Sequence, residues 1–331
     1  MKKVTSSDVA RLAGVSQSAV SRVFSGASAS PETARKVREA AAELGYRPNV
    51  LARSLITGRS RIIGLVVAYL ENPFYPDALE RMSKALQAQG YHTLIFMASW
   101  SSDVNRVVQE LLDYQVDGII AASVAVSDTL VDRCKSAGIP VVLFNRGQPG
   151  GGLTQVTSDN RAGAAAVARH LIAGGHERIA HVAGWDGSQT GRDRAEGFLA
   201  AMAQAGRSPV AVVPGDYDRE KAAAAAEHLV DVHRADAIFV GNDHMAFGVI
   251  DALRYRRGMR MGEDVSIVGY DDVPMACWSS YDLTTIRQHS GRMVDAAVGR
   301  MMAMIEGGDH TAQRIEIDGT LIQRGSSRKE A

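Results

Sequence analysis

The stretch DVARLAGVSQSAVSRVFSG, residues 8–26, holds two short apolar runs separated by a glycine. The apolar residues of each run recur at helical spacing, and side chains that cap helix starts precede each run. Gly14 can adopt the positive φ that ends a helix. Two short helices joined by a tight turn containing glycine are therefore predicted, and this arrangement is the helix-turn-helix motif.

The second of these helices concentrates polar side chains at its beginning, away from its apolar stripe. In the helix-turn-helix motif those positions face base edges in the major groove of DNA. We predict contacts to DNA from Thr5, Ser16, Gln17, Ser18, Ser21 and Arg22. The apolar stripes are expected to pack as a cluster of Val9, Ala10, Leu12, Ala19, Val20 and Val23. The alternative is an amphipathic helix pair whose outer polar face is merely solvated.

A third helix completes this head of the molecule. Ser30 is placed to cap it, Pro31 suits its first turn and Gly45 follows its end. Its buried stripe is predicted to consist of Val37, Ala40, Ala41 and Leu44. The basic segment 47–60 is too short to form a stable isolated helix, so we predict a linker that folds on contact with a partner.

Charge separates the head from the rest of the chain. Residues 1–61 contain eleven Lys and Arg against four Asp and Glu, a net charge of +7. Because the 331-residue chain is neutral overall, the remainder carries −7. A basic head on an acidic body predicts a polyanionic partner for the head alone.

From Arg61 onward, short apolar strands alternate with helical stretches, as in a parallel sheet covered by helices. The alternation occurs in two sets, so two sheets are predicted. The predicted strands are RIIGLVVAYL, HTLIFMAS, DGIIAAS and PVVLFN, then RIAHVAG, PVAVVP, DAIFVGND and VSIVGYDD. Ligands of such folds bind beyond the carboxyl ends of strands. The polar residues at those ends are Asn72, Asn145, Asn242, Asp243 and Asp271.

The motifs in the sequence favour neither an enzyme nor a cofactor. The chain has no G-x-S-x-G, no G-x-x-x-x-G-K-[ST] and no G-x-G-x-x-G after a strand. His176 and His181 are five residues apart and run into a strand, whereas a helical zinc site needs a spacing of four, so no metal site is predicted. Cys134 and Cys277 are expected to be reduced core thiols. An enzyme on the same scaffold would be indicated by turnover of a bound sugar.

Targeting signals are also lacking. No apolar run approaches the roughly 20 residues of a membrane span, and no secretory signal opens the chain. We therefore expect a cytoplasmic protein with no membrane partner.

Seven motifs occur in order along nearly the whole chain: VTSSDVARLAGVSQSAVSRVFSG, ELGYRPNVLARSLITGRSRIIGLV, NPFY at residues 72–75, SDNRAGA, GNDHMAFG, EDVSIVGYDD and LTTIRQ. This series resembles the LacI/GalR family of bacterial transcription regulators. The resemblance implies an α/β fold class, with an all-α helix-turn-helix head plus a two-lobed periplasmic-binding-protein-like body with parallel sheets. The implied domains are a DNA-binding domain (1–46), a hinge helix and linker (47–60) and an effector-binding and dimerisation domain (61–331).

Within the body, the resemblance implies a first lobe at about 62–157 and 289–317 and a second at about 160–286 and 318–328. Crossovers between them are expected at residues 157–160, at residues 284–288 and near Ile317. On DNA, the hinge helix would place Asn49, Ala52, Arg53 and Leu55 at the minor groove, with Leu55 as an apolar wedge. An ordinary core role for Leu55 is the alternative.

Carried over position by position, the resemblance also implies a set of effector contacts. They are Phe74, Tyr75, Asn145, Asp159, Arg194, Tyr217, Asn242 and Asp271. Each could instead be a capping or lobe-bracing residue. Their polar or bulky neighbours are Arg146, Trp185, Gln189 and Arg192. A second arginine indicates an anionic or heavily hydroxylated effector, unless Arg192 faces solvent.

The predicted function is a ligand-responsive, sequence-specific repressor of carbohydrate or sugar-acid catabolism genes. A homodimer is expected to leave a palindromic operator when a sugar, sugar acid or sugar phosphate binds. No heptad tail follows Ile322, which favours a dimer over a tetramer. A corepressor-dependent regulator is the alternative, because the sequence does not reveal the sign of the response. A sugar-binding receptor that feeds a transporter is a further alternative.

Overall fold

The structure is a computed structural model that describes residues 4–25, 28–47, 59–98, 104–122, 128–147 and 152–329. The chain divides into two compact units, Met1–Arg61 and Ile62–Ala331. Each unit has its own hydrophobic core, so we describe them separately.

The head unit contains three helices: α1 (Ser6–Ala13), α2 (Gln17–Ser25) and α3 (Pro31–Leu44). Thr5 and Asp8 form a reciprocal capping box at the start of α1, and Gly14 ends that helix with φ of 64°. Ser30 caps α3 through the amide of Thr33, and Gly45 ends it with φ of 65°. The predicted helix-turn-helix head is thereby confirmed.

The core of the head is small and aliphatic. Its buried members are Val9, Ala10, Val20, Val37, Ala40 and Ala41. Leu12 is a correction to the predicted cluster, because its side chain is 46% exposed. The inward stripe of α1 runs through positions 9, 10 and 13, which leaves Leu12 on the flank of the helix.

The body contains two six-stranded sheets, which define its two lobes. Lobe 1 is built on β1 (Ile62–Val67), β2 (His92–Met97), β3 (Gly118–Ala122), β4 (Val141–Phe144), β5 (Thr154–Ser158) and β11 (Arg314–Ile317). Lobe 2 is built on β6 (Ile179–Ala183), β7 (Val212–Pro214), β8 (Ala237–Val240), β9 (Ser266–Asp271), β10 (Thr284–Arg287) and β12 (Thr320–Ile322). The strand orders are β11-β5-β4-β3-β1-β2 and β12-β10-β9-β8-β6-β7. Every pairing is parallel except that of β10 with β12.

Helices flank both sheets, as expected for parallel strands. Those of lobe 1 are α4 (Phe74–Ala88), α5 (Val104–Asp113), α6 (Asp128–Ser136) and α11 (Ser290–Gly307). Those of lobe 2 are α7 (Asn160–Ala173), α8 (Gln189–Gln204), α9 (Arg219–Asp231) and α10 (Asp243–Asp251), which continues into a π-helical turn over Ala252–Arg256. In lobe 2, a glycine of α8, Gly197, lies against the backbone of Arg161 at the start of α7.

The chain passes between the lobes after β5, after β10 and after β11. At the positions of these three strands, the sequence predicted crossovers but no strands. The composition of β5 explains why the sequence did not predict it, because the strand reads TQVTS yet is buried along its whole length. A polar strand buried by its neighbours has no apolar pattern to reveal it.

The two cysteines differ from each other. Cys134 is buried, as predicted, whereas Cys277 is exposed and corrects the prediction of a core thiol. Cys277 ends a short 3-10 turn that begins at Pro274, and its thiol donates to the carbonyl of Pro274 at 3.2 Å.

No helix in the described ranges is both long and apolar enough to cross a membrane.

Candidate functional site

A cleft lies between the lobes at the carboxyl ends of their strands. The residues that line it are Tyr69, Asn72, Tyr75, Asn145, Arg146, Thr190, Arg194, Tyr217, Asn242 and Asp271. Both lobes contribute, and the lining is rich in amide, hydroxyl and charged groups. This is the position at which α/β folds bind small molecules.

Arg194 and Asp271 form a buried ion pair in lobe 2. Nη2 of Arg194 lies 3.4 Å from Oδ1 of Asp271, and both side chains are almost fully buried. The guanidinium also donates from Nε to Asn160 at 2.9 Å and from Nη1 to the carbonyl of Gly241 at 2.6 Å. The ring of Tyr270 lies 3.7 Å from the guanidinium carbon. These contacts fix the arginine in one orientation.

Asp271 also accepts hydrogen bonds from two amides. Nδ2 of Asn72, from lobe 1, lies 2.8 Å from Oδ2, and Nε2 of Gln288 lies 2.6 Å from Oδ1. Burial raises the pKa of Asp271, and the positive charge of Arg194 opposes that rise. The carboxylate therefore joins the cleft, the opposite lobe and the crossover that follows β10.

Asp243 lies next to this cluster at the start of α10 and is completely buried. Its oxygens accept from the hydroxyl of Thr285 at 2.6 Å and from the amide of Val273 at 3.0 Å. Burial, followed by the negative charge of Asp271, raises the pKa of Asp243 to about 7. A second carboxyl beside the cleft thus titrates near neutral pH.

Asn145 presents an unused acceptor to the cleft. Its Nδ2 lies 3.4 Å from the hydroxyl of Tyr75, whereas its Oδ1 is buried and has no hydrogen-bond partner within the described parts of the chain. A buried acceptor without a donor is costly. A hydroxyl group of a ligand would satisfy it.

Three of the lining residues have positive φ although none is glycine. Asn145 has φ of 51°, Tyr217 of 61° and Asp271 of 131°. Such values are uncommon outside glycine and cluster where a fold holds side chains for a ligand. In an ordinary strand, neighbouring side chains point to opposite faces. The turn at Asn145 interrupts that alternation, and Asn145 and Arg146 both line the cleft.

Of the eight predicted effector contacts, six line the cleft. Phe74 and Asp159 do not line it in this arrangement of the lobes. Phe74 is buried in lobe 1, where its ring stacks on Phe144 at a centroid distance of 6.3 Å. Asp159 caps α7 by accepting from the amide of Ala162 at 2.9 Å. Both side chains are used inside their own lobes, by packing and by capping.

Four lining residues were absent from that set: Tyr69, Asn72, Arg146 and Thr190. Asn72 follows a predicted strand and Arg146 is a neighbour of the predicted contact Asn145, so both carry a usable signal in the sequence. Tyr69 is placed by its hydroxyl, which donates to the carbonyl of Tyr217 across the cleft at 3.1 Å. The hydroxyl of Thr190 donates to the carbonyl of Asn145 at 3.2 Å. Only the meeting of the lobes creates these two positions.

All of the DNA contacts predicted for the head are exposed, namely Thr5, Ser16, Gln17, Ser18, Ser21 and Arg22. Nε2 of Gln17 donates to the hydroxyl of Ser6 at 2.9 Å, which ties the start of α2 to α1. Ser16 also caps α2, since its Oγ accepts from the amide of Ala19 at 3.2 Å. The predicted hinge residues Asn49, Ala52, Arg53 and Leu55 lie outside the described residues.

A helix-turn-helix head joined to a two-lobed body with an interlobe cleft defines a ligand-responsive transcription regulator. Comparison with known families agrees with this class. Residues 5–49 match the family described as bacterial regulatory proteins, lacI family. Residues 60–329 match the family described as periplasmic binding proteins and sugar binding domain of LacI family. The chain belongs to the LacI family.

Individual relatives match along almost their whole length. The HTH-type transcriptional repressor PurR of Photobacterium profundum is 32% identical over 97% of this chain and 98% of its own. The ribose operon repressor of Escherichia coli (strain K12) is 31% identical over 98% of this chain and 99% of its own. The crystal structure of the lac repressor dimer bound to operator and the anti-inducer ONPF is 28% identical, with a TM-score of 0.89 over 99% of this chain and 100% of that chain. The protein is thus a DNA-binding regulator and not an enzyme.

Proposed function

We propose that this protein represses genes of carbohydrate or sugar-acid catabolism and that a small hydroxylated effector releases it from a palindromic operator. The observation that carries this proposal is the bond from Asn72 in lobe 1 to Asp271 in lobe 2. It places the main carboxylate of the cleft in contact with both lobes. A ligand that binds Asp271 therefore changes how the lobes meet.

The groups around the cleft suit a sugar, a sugar acid or a sugar phosphate. The carboxylate of Asp271 can accept from a ligand hydroxyl in addition to its three protein donors, and the free Oδ1 of Asn145 can accept from a second hydroxyl. The rings of Tyr69 and Tyr217 can cover the apolar face of a sugar ring. We assign effector contacts to Tyr75, Asn145, Arg194, Tyr217, Asn242 and Asp271.

We also propose boundaries for three domains. We assign DNA binding to residues 1–46, a hinge helix and linker to 47–60, and effector binding and dimerisation to 61–331. Hinge contacts to the minor groove are assigned to Asn49, Ala52, Arg53 and Leu55. Base and phosphate contacts are assigned to Thr5, Ser16, Gln17, Ser18, Ser21 and Arg22.

Coupling between cleft and DNA follows from the arrangement of the lobes. Effector binding shifts the balance between two lobe arrangements, and such couplings typically amount to about 1–3 kcal/mol. We place two copies on one operator, as in the lac repressor dimer, with each recognition helix in a major groove. An effector that instead favours the DNA-bound arrangement would be a corepressor. We infer a cytoplasmic location from operator DNA as the proposed partner.

The test is a binding selection of genomic fragments by the purified full-length protein, followed by titration of sugars into the complex. We expect preference for a palindromic site over random duplex and loss of that preference when the effector is added. No preference for any fragment, with or without small molecules, would rule out the proposal. If an effector instead strengthened operator binding, it would be a corepressor, and the protein would still be a ligand-responsive regulator.

A further inference from the structure

We infer that Ser6 positions Gln17 so that the recognition helix α2 selects adenine at one base pair of the operator. Ser6 was not among the residues predicted to contact DNA. Its role rests on the proposed function, because it assigns a base to one of the proposed DNA contacts. The residues involved lie within the head unit, where α1 and α2 begin.

A hydrogen bond joins the first residues of these two helices. Nε2 of Gln17 lies 2.9 Å from Oγ of Ser6, which is 11 positions earlier in the chain. Ser6 is the first residue of α1, and Gln17 is the first residue of α2. Gln17 is exposed, whereas Ser6 is half-buried. The bond therefore holds an exposed side chain of the recognition helix against the preceding helix.

The start of α1 gives this bond a firm support. Thr5 and Asp8 hold the helix end by reciprocal capping, with Oγ1 of Thr5 at 2.7 Å from Oδ2 of Asp8. Val9, in the same helix, is buried in the core of the head together with Val20 of α2. The position of Oγ of Ser6 relative to α2 is thus set by the fold of the head before DNA binds.

The hydroxyls on either side of Gln17 are engaged with each other. Oγ of Ser16 accepts from the amide of Ala19 at 3.2 Å and lies 2.9 Å from Oγ of Ser18. Among the described residues of the head, Ser6 is therefore the side chain that orients the amide of Gln17. A side chain that is already oriented loses less conformational freedom when it binds.

The bond to Ser6 determines which groups of Gln17 remain for DNA. The amide nitrogen carries two hydrogens, and Ser6 takes one of them. The acceptor Oε1 and one N–H donor remain. In the major groove, adenine presents an N6–H donor beside the N7 acceptor, whereas guanine presents two acceptors, cytosine a donor alone and thymine an acceptor alone. Adenine is thus the base that satisfies both remaining groups.

The test starts from the operator that the full-length protein selects from genomic fragments. Each base pair of the half-site is changed to the other three, symmetrically in both half-sites, and anisotropy titrations measure the affinity for each duplex. The position read by Gln17 is the one at which Gln17→Ala removes the base preference. We expect adenine there, bound at least about fivefold more tightly than any other base.

Ser6→Ala is expected to reduce this preference to less than about twofold, because the freed amide can then present both N–H groups to guanine. Its affinity for random duplex should stay within about twofold of the wild type, since non-specific binding depends on phosphate contacts, and this shows that the head is folded. Ser6→Thr keeps a hydroxyl at this position and should retain the preference.

Ser25→Ala is the matched control, because it removes a hydroxyl from the other end of α2. Oγ of Ser25 donates to the carbonyl of Arg22 within the same helix at 3.1 Å. The adenine preference should therefore be unchanged in Ser25→Ala.

A preference for another base at the position read by Gln17 overturns the assignment of adenine, and guanine or thymine there would mean that Oε1 of Gln17 faces Ser6. A full adenine preference in Ser6→Ala overturns the role of Ser6. Unchanged base preferences in Gln17→Ala at every position overturn the inference, whereas preference for the palindromic operator over random duplex leaves the proposed function standing.

Discussion

Nδ2 of Asn72 donates to Oδ2 of Asp271 at 2.8 Å, and this bond connects residues that are 199 positions apart in the chain. Asn72 belongs to lobe 1, and Asp271 ends the central strand β9 of lobe 2. The same carboxylate faces Arg194 and Gln288. A single side chain thereby links the cleft, the interlobe contact and a crossover, which is the physical basis for a ligand acting on lobe geometry.

Asp271→Asn is expected to abolish effector binding and to lower the free energy of unfolding by roughly 3 kcal/mol. The reason is that Arg194 would keep a buried charge without its carboxylate, and breaking a buried ion pair costs about that much. Chemical denaturation measures the loss. Asp216→Asn is the control, since it breaks the more exposed pair with Lys221 and should change stability by less than about 0.5 kcal/mol. Equal effects of the two variants would contradict this account.

Asp243→Asn is expected to alter how stability depends on pH. The pKa of Asp243 is raised to about 7, so between about pH 4 and 7 the native state holds a proton that the unfolded state has released. The contribution of Asp243 to the free energy of unfolding therefore falls as pH rises through this window. Asparagine cannot titrate, and the variant should lack this downward slope relative to the wild type.

Denaturation at several pH values checks that expectation. Asp231→Asn serves as control, because Arg257 lowers the pKa of that exposed carboxyl. Its stabilising effect is lost only as pH falls toward the lowered value, so the control should follow the wild type between about pH 5 and 7. A wild-type slope that survives in Asp243→Asn would show that other groups cause it.

Gln17→Ala and Arg22→Ala are expected to weaken operator binding by about 1–3 kcal/mol each, with the loss confined to particular base pairs. Both side chains are exposed on α2, at and near its beginning. Arg35→Ala removes the same charge as Arg22→Ala from α3, where Arg35 pairs with Glu39 at 2.9 Å. Anisotropy titrations against operator variants and random duplex measure the pattern. A loss of the same size on every duplex would exclude base recognition by these residues.

Gly197→Ala is expected to destabilise the body by about 1–3 kcal/mol, as overpacking does. A Cβ at this position would collide with the backbone of Arg161, and its distance to the Cα of Arg161 would be 2.7 Å. Gly299→Ala, in the exposed part of α11, meets no atom within 4 Å and should stabilise by roughly 0.5–1 kcal/mol. Thermal denaturation of both variants tests the contrast. A neutral or stabilising effect of Gly197→Ala would mean that α7 and α8 can separate at little cost.

Local chemistry let the sequence predict the head and most of the strands. The capping box of Thr5 and Asp8, and the glycine turns at Gly14 and Gly45, act within a few residues of where they stand. The apolar strands can be predicted from the sequence because both faces of a parallel sheet are buried, so these strands are continuous apolar runs. The polar strand β5 carries no such signal, and it is defined by its pairing with β4 and β11.

The amino-acid sequence by itself determined the three-helix head, the α/β class of the body and the polar residues that follow its strands, since caps, turns and hydrophobic periodicity are local properties. Only the tertiary structure decided which of those residues share the cleft. Phe74 and Asp159 do not line the cleft, because their side chains serve their own lobes, whereas Tyr69 and Thr190 do line it and have partners across it. The reason is that a site between two lobes depends on distances between distant parts of the chain, which the packing of both sheets sets together.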